Sequence, residues 1–237
     1  IDAKAIRMLP SSSPGDIFFD FEGDPMWHGE DPADAGLEYL FGLWEDPPLD
    51  PDGDPFVPFW AHDRVQERQA LRDFLDHVRE RRRRWPDMHI YHYADYEKGA
   101  LKTLAARYAE GEDEVDELLR NHVLVDLYTV VRNSIRVGRP SYSLKDLEPF
   151  YMEEKRSGDV VNAGDSLVEY AEYCAARDAG RLEEADEKLQ EIERYNRYDC
   201  LSTLKLDRWL RGLIDPPAAA AIHSLPSPGA APGEEET

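Results

Sequence analysis

The segment 16–22 most constrains the fold of this chain, because its pattern predicts a buried β-strand that also carries two carboxylates. Its sequence is Asp-Ile-Phe-Phe-Asp-Phe-Glu. Successive side chains of a strand alternate between the two faces of a sheet. One face receives three apolar residues, which are Ile17, Phe19 and Phe21. The other face receives Phe18 with the acids Asp20 and Glu22. Apolar residues on both faces predict a central strand that is covered on both sides.

The two acids of this strand have two possible explanations. Asp20 and Glu22 extend from the same face, about 7 Å apart along the strand. Buried carboxylates are unfavourable unless they are paired or hold a metal, and Mg²⁺ and Mn²⁺ prefer carboxylate oxygen. The pair is therefore either the first half of a metal site or, if the strand ends near Asp20, two solvated acids. The strand alone does not decide between these interpretations.

The rest of the chain predicts an α/β fold with a mixed sheet flanked by helices. Segments 38–44 and 56–61 have strand patterns and, with the first strand, form three antiparallel strands joined by turn-rich connections. Helices and strands then alternate. We predict helices at 64–84, 96–108, 143–150 and 182–213, a helix from Ser166 with Glu169 as a capping box, and strands at 88–93 and 123–126.

Composition suits one globular domain that is part of a larger protein. The chain has 237 residues, of which 41% are hydrophobic. We predict a Ser/Pro-rich leader at 1–15, a domain at 16–214 and a disordered Ala/Pro/Gly/Glu tail at 215–237. The chain begins without Met, which indicates a piece of a longer protein. No apolar run approaches the ~20 residues of a membrane helix, so we predict no membrane partner. Two cysteines fit a reducing cytoplasm.

The net charge of −22 limits how the chain can meet nucleic acid. Proteins that bind long nucleic acids are usually basic, because neutralising phosphates drives their affinity. The charge therefore argues against a protein that holds long nucleic acid unaided. It is compatible with a cation-containing site that holds only a chain end, and equally with an acidic interaction module.

A second acidic motif lies on the long helix. Its apolar stripe contains Leu182, Ala185, Leu189, Ile192, Leu206, Leu210 and Leu213. Steps of three or four residues from Ile192 reach Tyr195, Asp199 and Thr203 before Leu206. Asp199 therefore faces the core one turn from Tyr195, where it needs a metal or a partner such as Arg. The alternatives are a buried salt bridge for Asp199 and a core tyrosine with its hydroxyl at the rim for Tyr195.

A third acid, Asp95, follows the predicted strand 88–93. Ligand sites of open α/β sheets lie at the carboxyl ends of strands, which makes Asp95 a candidate metal ligand. Its other possible role is the N-cap of the following helix.

In order, Asp20-x-Glu22, Asp95 after a strand and Tyr195-x-x-x-Asp199 resemble the three exonuclease motifs of the DEDD superfamily. The tyrosine places the resemblance in the DEDDy branch, which has the RNase H-like fold. The amino-acid sequences of segments 20–25 and 195–200 are also similar to the RNase H-like domain of predicted RecB-family nucleases. These nucleases are often joined to helicase-like regions. Segments 125–127 and 141–145 are similar to the same group. The resemblance spans about residues 16–213.

The resemblance implies a metal-dependent 3′–5′ exonuclease that hydrolyses phosphodiester bonds of nucleic acid, with DNA favoured over RNA. Asp20, Glu22, Asp95 and Asp199 would ligate two Mg²⁺ or Mn²⁺ ions, and Tyr195 would orient the attacking water. The expected partners are a single-stranded 3′ end and the RecB-like nuclease and helicase-like domains of the parent chain.

Two other functions are compatible with the same sequence. One is a catalytically silent docking module of a nuclease–helicase protein, and the other is a two-metal phosphoesterase of small nucleotides. Asp126 follows a later strand and matches a position that is usually structural in the family, so we leave it out of the metal set.

Four basic residues are candidates for contacts to substrate phosphates, because their helices begin near the predicted site. They are Lys98, Lys102, Arg132 and Arg136. The alternative is that they belong to solvated helix faces. The run Arg81 to Arg84 could bind phosphate, but we favour the alternative of solvated cations that interact well with the dipole at a helix C-terminus.

Overall fold

The computed structural model describes residues 1–29, 35–154, 156, 160 and 162–214. Its five strands are β1 (Ile17–His28), β2 (Ala35–Glu45), β3 (Phe56–Trp60), β4 (Ile90–His92) and β5 (Leu124–Asp126). They form one sheet in the order β3-β2-β1-β4-β5. β1 pairs antiparallel with β2, as β2 does with β3, whereas β4 runs parallel to both β1 and β5. The predicted mixed sheet with three antiparallel strands is confirmed.

Helices cover the sheet. They are α1 (Ala3–Arg7), α2 (Arg64–Arg84), α3 (Tyr96–Tyr108), α4 (Glu112–Arg120), α5 (Leu127–Ser134), α6 (Leu144–Leu147), α7 (Ala163–Asp178) and α8 (Leu182–Gly212), with a 3₁₀ helix at Glu148–Phe150 after α6. α2 and α3 have the predicted bounds because each is set by a local signal. The Asp63 side chain, for example, accepts a hydrogen bond from the Gln66 backbone at the start of α2.

The helical prediction differs from the structure in two ways. α1 and α4 were not predicted. α7 begins at Ala163, where Asn162 and Asp165 form the capping box, so the predicted box of Ser166 and Glu169 is wrong. Ser166 instead lies inside the helix, fully buried. Asn162 is the N-cap because its side chain accepts a hydrogen bond from the Asp165 backbone amide at 3.1 Å. In return, the Asp165 carboxylate accepts a hydrogen bond from the Asn162 backbone amide at 3.0 Å.

The alternation of β1 divides the core as predicted. Ile17, Phe19 and Phe21 belong to one apolar cluster, which also contains buried residues of α2, α3 and α4. Phe18 belongs to a second cluster, formed with residues of α5 and α8. β1 is therefore a central strand, and its Asp20–Glu22 face lies on the side of α8.

The ends of the chain bear on the predicted domain bounds. Within the segment 1–15, α1 packs on α5, with Ile6 buried and the Asp2 amide bonded to the Ser134 carbonyl at 2.6 Å. The predicted tail at 215–237 lies outside the described residues. None of the described helices is both long and apolar enough to cross a membrane.

Candidate metal centre

Three carboxylates meet between the central strand and the long helix. Carboxylate oxygens of Asp20 and Glu22 on β1 and Asp199 on α8 all lie within 4.8 Å of one another. Glu22 and Asp199 are buried and Asp20 is partly buried. Because β1 continues to His28, the interpretation of two solvated acids at a strand end is wrong.

The carboxylates of this acidic cluster raise one another's pKa. Burial raises the pKa of Asp20 well above its ordinary value, and the charges of Asp199 and Glu22 raise it further. Burial and then the charge of Asp199 raise the pKa of Glu22 to about 8. Burial also raises the pKa of Asp199, although Arg156 opposes this shift. The cluster therefore holds more negative charge than its protein neighbours balance.

A fourth acid, Glu97, adjoins the acidic cluster. It lies in the first turn of α3, is 2% exposed, and forms a hydrogen bond with Asp20. Glu97 also contacts His92, whose Nδ1 lies 3.2 Å from Glu97 Oε2. Glu97 thus occupies the place beside Asp20 that the sequence analysis expected for Asp95.

The structure does not bring Asp95 into the acidic cluster. Asp95 is exposed, and although it holds the N-cap position of α3, its side chain makes no capping hydrogen bond. The reason lies in the connection between β4 and α3. β4 ends at His92, and Ala94 adopts a left-handed conformation with φ of 76°. After that turn, a residue inside the first turn of α3 faces the core, and the residue before the helix does not.

A sequence signal for Glu97 was available. Glu97 precedes Ala100, Leu101 and Leu104, all of them buried, by three, four and seven residues. It is therefore an acid on an apolar helical stripe, as Asp199 is on α8.

Tyr195 completes the predicted motif on α8. It is 8% exposed, and its nearby hydroxyl lowers the pKa of Asp199. Burial raises the pKa of Tyr195 far above its ordinary value, and the charges of Asp199, Glu22 and Asp20 raise it further. The hydroxyl therefore stays protonated and acts as a hydrogen-bond donor.

Asn196 positions two of the acids, a role that the sequence analysis missed. Asn196 is fully buried; its Nδ2 donates to Asp20 Oδ2 at 2.9 Å and to Glu22 Oε1 at 3.4 Å. On its other side, the Cys200 thiol lies 3.7 Å from Asn196 Oδ1. Gly42 makes room for the amide, since a Cβ there would lie 1.6 Å from Asn196 Oδ1.

Asp199 also has a cationic neighbour. The Arg156 guanidinium pairs with Asp199 and with Glu148. Its Nε donates to Glu148 Oε2 at 3.0 Å, which fixes the orientation of the guanidinium. The alternative interpretation of Asp199 as a salt-bridge residue is thus correct in part, because Asp199 belongs both to this pair and to the acidic cluster.

The donor set of the acidic cluster fits a hard divalent cation. It consists of carboxylate oxygens alone, held on rigid elements, and their mutual repulsion is relieved by a cation. A family model described as the RNase_H superfamily matches residues 17–211. The chain belongs to the RNase H superfamily. The match contains Asp20, Glu22, Glu97 and Asp199, and the superfamily's chemistry makes the chain a nuclease-type hydrolase domain. A search of the curated proteins finds no match.

Around this RNase H-like centre, Asp126 is structural, as expected. Its carboxylate caps α5 by accepting from the Tyr128 and Thr129 amides, and it also accepts from the Ala94 amide at 2.9 Å. Asp126 thereby fixes the left-handed turn before α3.

The four basic candidates lie on the outside of the superfamily domain. Lys98 is half-buried, whereas Lys102, Arg132 and Arg136 are exposed. Arg132 donates to the Tyr128 hydroxyl at 2.9 Å, and Arg136 to the carbonyl oxygens of Arg132 and Ile135, each at 3.0 Å. A role in substrate binding stays a prediction for all four.

Proposed function

We propose that this domain is a metal-dependent 3′–5′ exonuclease that hydrolyses phosphodiester bonds of nucleic acid. One observation carries the proposal. Three carboxylates from β1 and α8 lie within 4.8 Å of one another, beside a tyrosine that burial keeps protonated. Asp20, Glu22, Asp199 and Tyr195 are four of the five residues that the DEDDy resemblance implies.

The acids would hold two Mg²⁺ or Mn²⁺ ions, with Glu97 in the role that Asp95 was expected to fill. Such ions supply a hydroxide nucleophile at neutral pH and stabilise the charge that develops on the phosphoryl oxygens. Asn196 holds Asp20 and Glu22 in place, so the ligand oxygens are oriented before any cation binds.

Tyr195 orients the attacking water. A base must accept a proton, and a tyrosine hydroxyl that stays protonated cannot do so. Its hydroxyl can instead form a hydrogen bond with the water, from a position beside the acidic cluster. Proton removal would therefore fall to the carboxylates that would hold the ions.

We further propose DNA with a single-stranded 3′ end as the substrate, and a RecB-like nuclease and helicase-like regions of a longer chain as neighbouring domains. The amino-acid sequences of segments 20–25 and 195–200, which are similar to those of predicted RecB-family nucleases, support this choice of substrate and neighbouring domains. The net charge of −22 supports it too, because a domain that binds weakly by itself benefits from neighbours that deliver the strand end.

The test is cleavage of 5′-labelled single-stranded DNA and RNA with Mn²⁺, Mg²⁺ or EDTA. We expect metal-dependent shortening from the 3′ end, lost in Asp20→Ala and Asp199→Ala. Shortening that persists in both variants would contradict the site. An intact substrate together with no binding of Mn²⁺ at millimolar concentration would favour the docking module.

A matched pair of variants tests the fourth acid. Glu97→Gln and Asp95→Asn each remove one charge, two residues apart. We expect Glu97→Gln to reduce cleavage and Mn²⁺ affinity together, and Asp95→Asn to leave both near wild type. The reverse result would return Asp95 to the metal set.

A further inference from the structure

A cavity of about 540 Å³ borders the acidic cluster. Its wall includes the cations Lys145 of α6 and Arg156, the acids Glu148, Glu153 and Glu154, and Tyr198 of α8. Arg156 also pairs with Asp199, so the cavity is directly beside the proposed catalytic centre. Its size is enough for a sugar–phosphate unit.

Arg156 is held in this wall with one donor unused. Glu148 fixes the guanidinium through Nε, and the carbon Cζ lies 5.3 Å from the ring centre of Tyr195 and 4.9 Å from that of Tyr198. Its Nη1 is buried and has no hydrogen-bond partner among the described residues. A buried guanidinium N–H without an acceptor is unfavourable, and a ligand oxygen would satisfy it.

Lys145 is the second cation of the cavity. Its side chain is exposed, and Nζ lies 5.9 Å from the ring centre of Tyr195. Partial desolvation and then the charge of Arg156 lower the pKa of Lys145, which shows that the two cations are close to each other. In the part of the chain that the structure describes, Lys145 forms no salt bridge, whereas most of the arginines do.

We propose that Lys145 and Arg156 form a subsite for a backbone phosphate of the substrate, the one adjacent to the scissile phosphate. The proposal rests on the exonuclease function proposed above. A guanidinium held in a fixed orientation and a mobile ammonium are the donors that commonly bind phosphate. The two cations lie close to Tyr195, where the strand end would lie, and they partly offset the three glutamates of the cavity wall, Glu148, Glu153 and Glu154.

Binding is tested first, without catalysis. Fluorescence polarisation of a fluorescein-labelled oligothymidylate in Ca²⁺ should show roughly tenfold weaker binding by Lys145→Gln. The slope of log K against log salt should become smaller by about 0.7. Lys145→Arg should keep most of the affinity. The matched control is Lys205→Gln, which removes the same charge from an exposed position on α8. Equal binding by wild type and Lys145→Gln would overturn the subsite, as would an absence of binding by wild type.

Cleavage assays in Mn²⁺ then show whether Lys145→Gln affects substrate binding or the catalytic centre. For the oligothymidylate, Lys145→Gln should raise KM with little change in kcat. For bis(p-nitrophenyl) phosphate, which has no adjacent phosphate, its rate should equal that of wild type. Equal losses on both substrates would overturn the subsite and assign Lys145 to the catalytic centre. If wild type cleaves neither substrate, the exonuclease proposal fails, and the binding measurement still decides the subsite.

Discussion

Two of the buried groups of charged residues in this domain differ in how their charges are balanced. The first surrounds Arg81 at the C-terminal end of α2. Arg81 is 0% exposed, and it pairs with Glu45, which is 1% exposed, at 3.0 Å. It also donates to the carbonyl oxygens of Gly15 at 2.7 Å and Pro47 at 2.9 Å. Here a buried cation meets an anion and carbonyl dipoles.

The second group is the acidic cluster. Asp20, Glu22 and Asp199 repel one another, Glu97 adds a fourth carboxyl group, and Arg156 is the cation that pairs with Asp199. Buried opposite charges that are paired hold the segments that carry them in a fixed arrangement. Buried like charges are unfavourable until a cation binds. The difference indicates structure at Arg81 and function at the acidic cluster.

The largest expected effect is on activity in the acidic cluster. Asp20→Asn should reduce cleavage by at least roughly a thousandfold, because it removes a metal ligand. The free energy of unfolding should stay the same or rise, since the substitution relieves repulsion. Cleavage assays and urea denaturation measure the two quantities. If Asp20→Asn lowered the free energy of unfolding as much as Arg81→Met is expected to, the proposed difference between the two groups would be wrong.

The Arg81 group should show the opposite behaviour. Arg81→Met leaves Glu45 buried without its cation and should lower the free energy of unfolding by about 3–5 kcal/mol. The folded fraction should keep its cleavage rate. Arg83→Met is the control, because Arg83 pairs only with Glu80 at the surface, where we expect at most about 1 kcal/mol. Equal effects of both substitutions would refute a structural role for burial of Arg81.

Gly42 tests the support of the acidic cluster. Gly42→Ala would place Cβ 1.6 Å from Asn196 Oδ1, so the amide must move away from Asp20 and Glu22. We expect a loss of about 1–3 kcal/mol in stability together with weaker Mn²⁺ binding. Gly99→Ala is the control, because no atom lies within 4 Å of a Cβ there, and it should stabilise α3 by about 0.5–1 kcal/mol. Normal Mn²⁺ binding by Gly42→Ala would disprove the positioning role of Asn196.

Tyr195→Phe separates water positioning from metal binding. It removes one hydroxyl and should slow cleavage by about tenfold to a hundredfold, while Mn²⁺ affinity measured by calorimetry stays close to wild type. Equal loss of cleavage and of metal affinity would instead mean that the hydroxyl supports the ligand set.

The last prediction concerns the pH dependence of stability. The pKa of Glu22 is raised from 4.5 to about 8, so the folded state binds more protons than the unfolded state between these values. Without metal, the free energy of unfolding should therefore fall as pH rises from about 4.5 to 8. Glu22→Gln should flatten this dependence, and so should saturating Mn²⁺. A dependence that Glu22→Gln leaves unchanged would assign it to other groups, such as Glu38, whose pKa burial raises to about 7.

The sequence by itself determined the features that depend on local periodicity. Alternation along β1 predicted which face carries Asp20 and Glu22, and the stripe of α8 predicted that Asp199 faces the core. The bounds of α2 and α3 followed from nearby capping and stop signals. Apolar residues that recur every two residues in a strand, or about every 3.6 residues in a helix, can be recognised from a short stretch of sequence. No distant contact is needed to detect this period.

Only the tertiary structure decided which side chains complete the acidic cluster. The apolar stripe of α3 marks Glu97 as core-facing, but it is the left-handed turn at Ala94, held by the Asp126 carboxylate of β5, that brings Glu97 rather than Asp95 beside Asp20. Asn196 reaches Asp20 only because Gly42, on the neighbouring strand, lacks a side chain. These contacts join residues far apart in the chain, and no periodic pattern records how closely two elements approach each other.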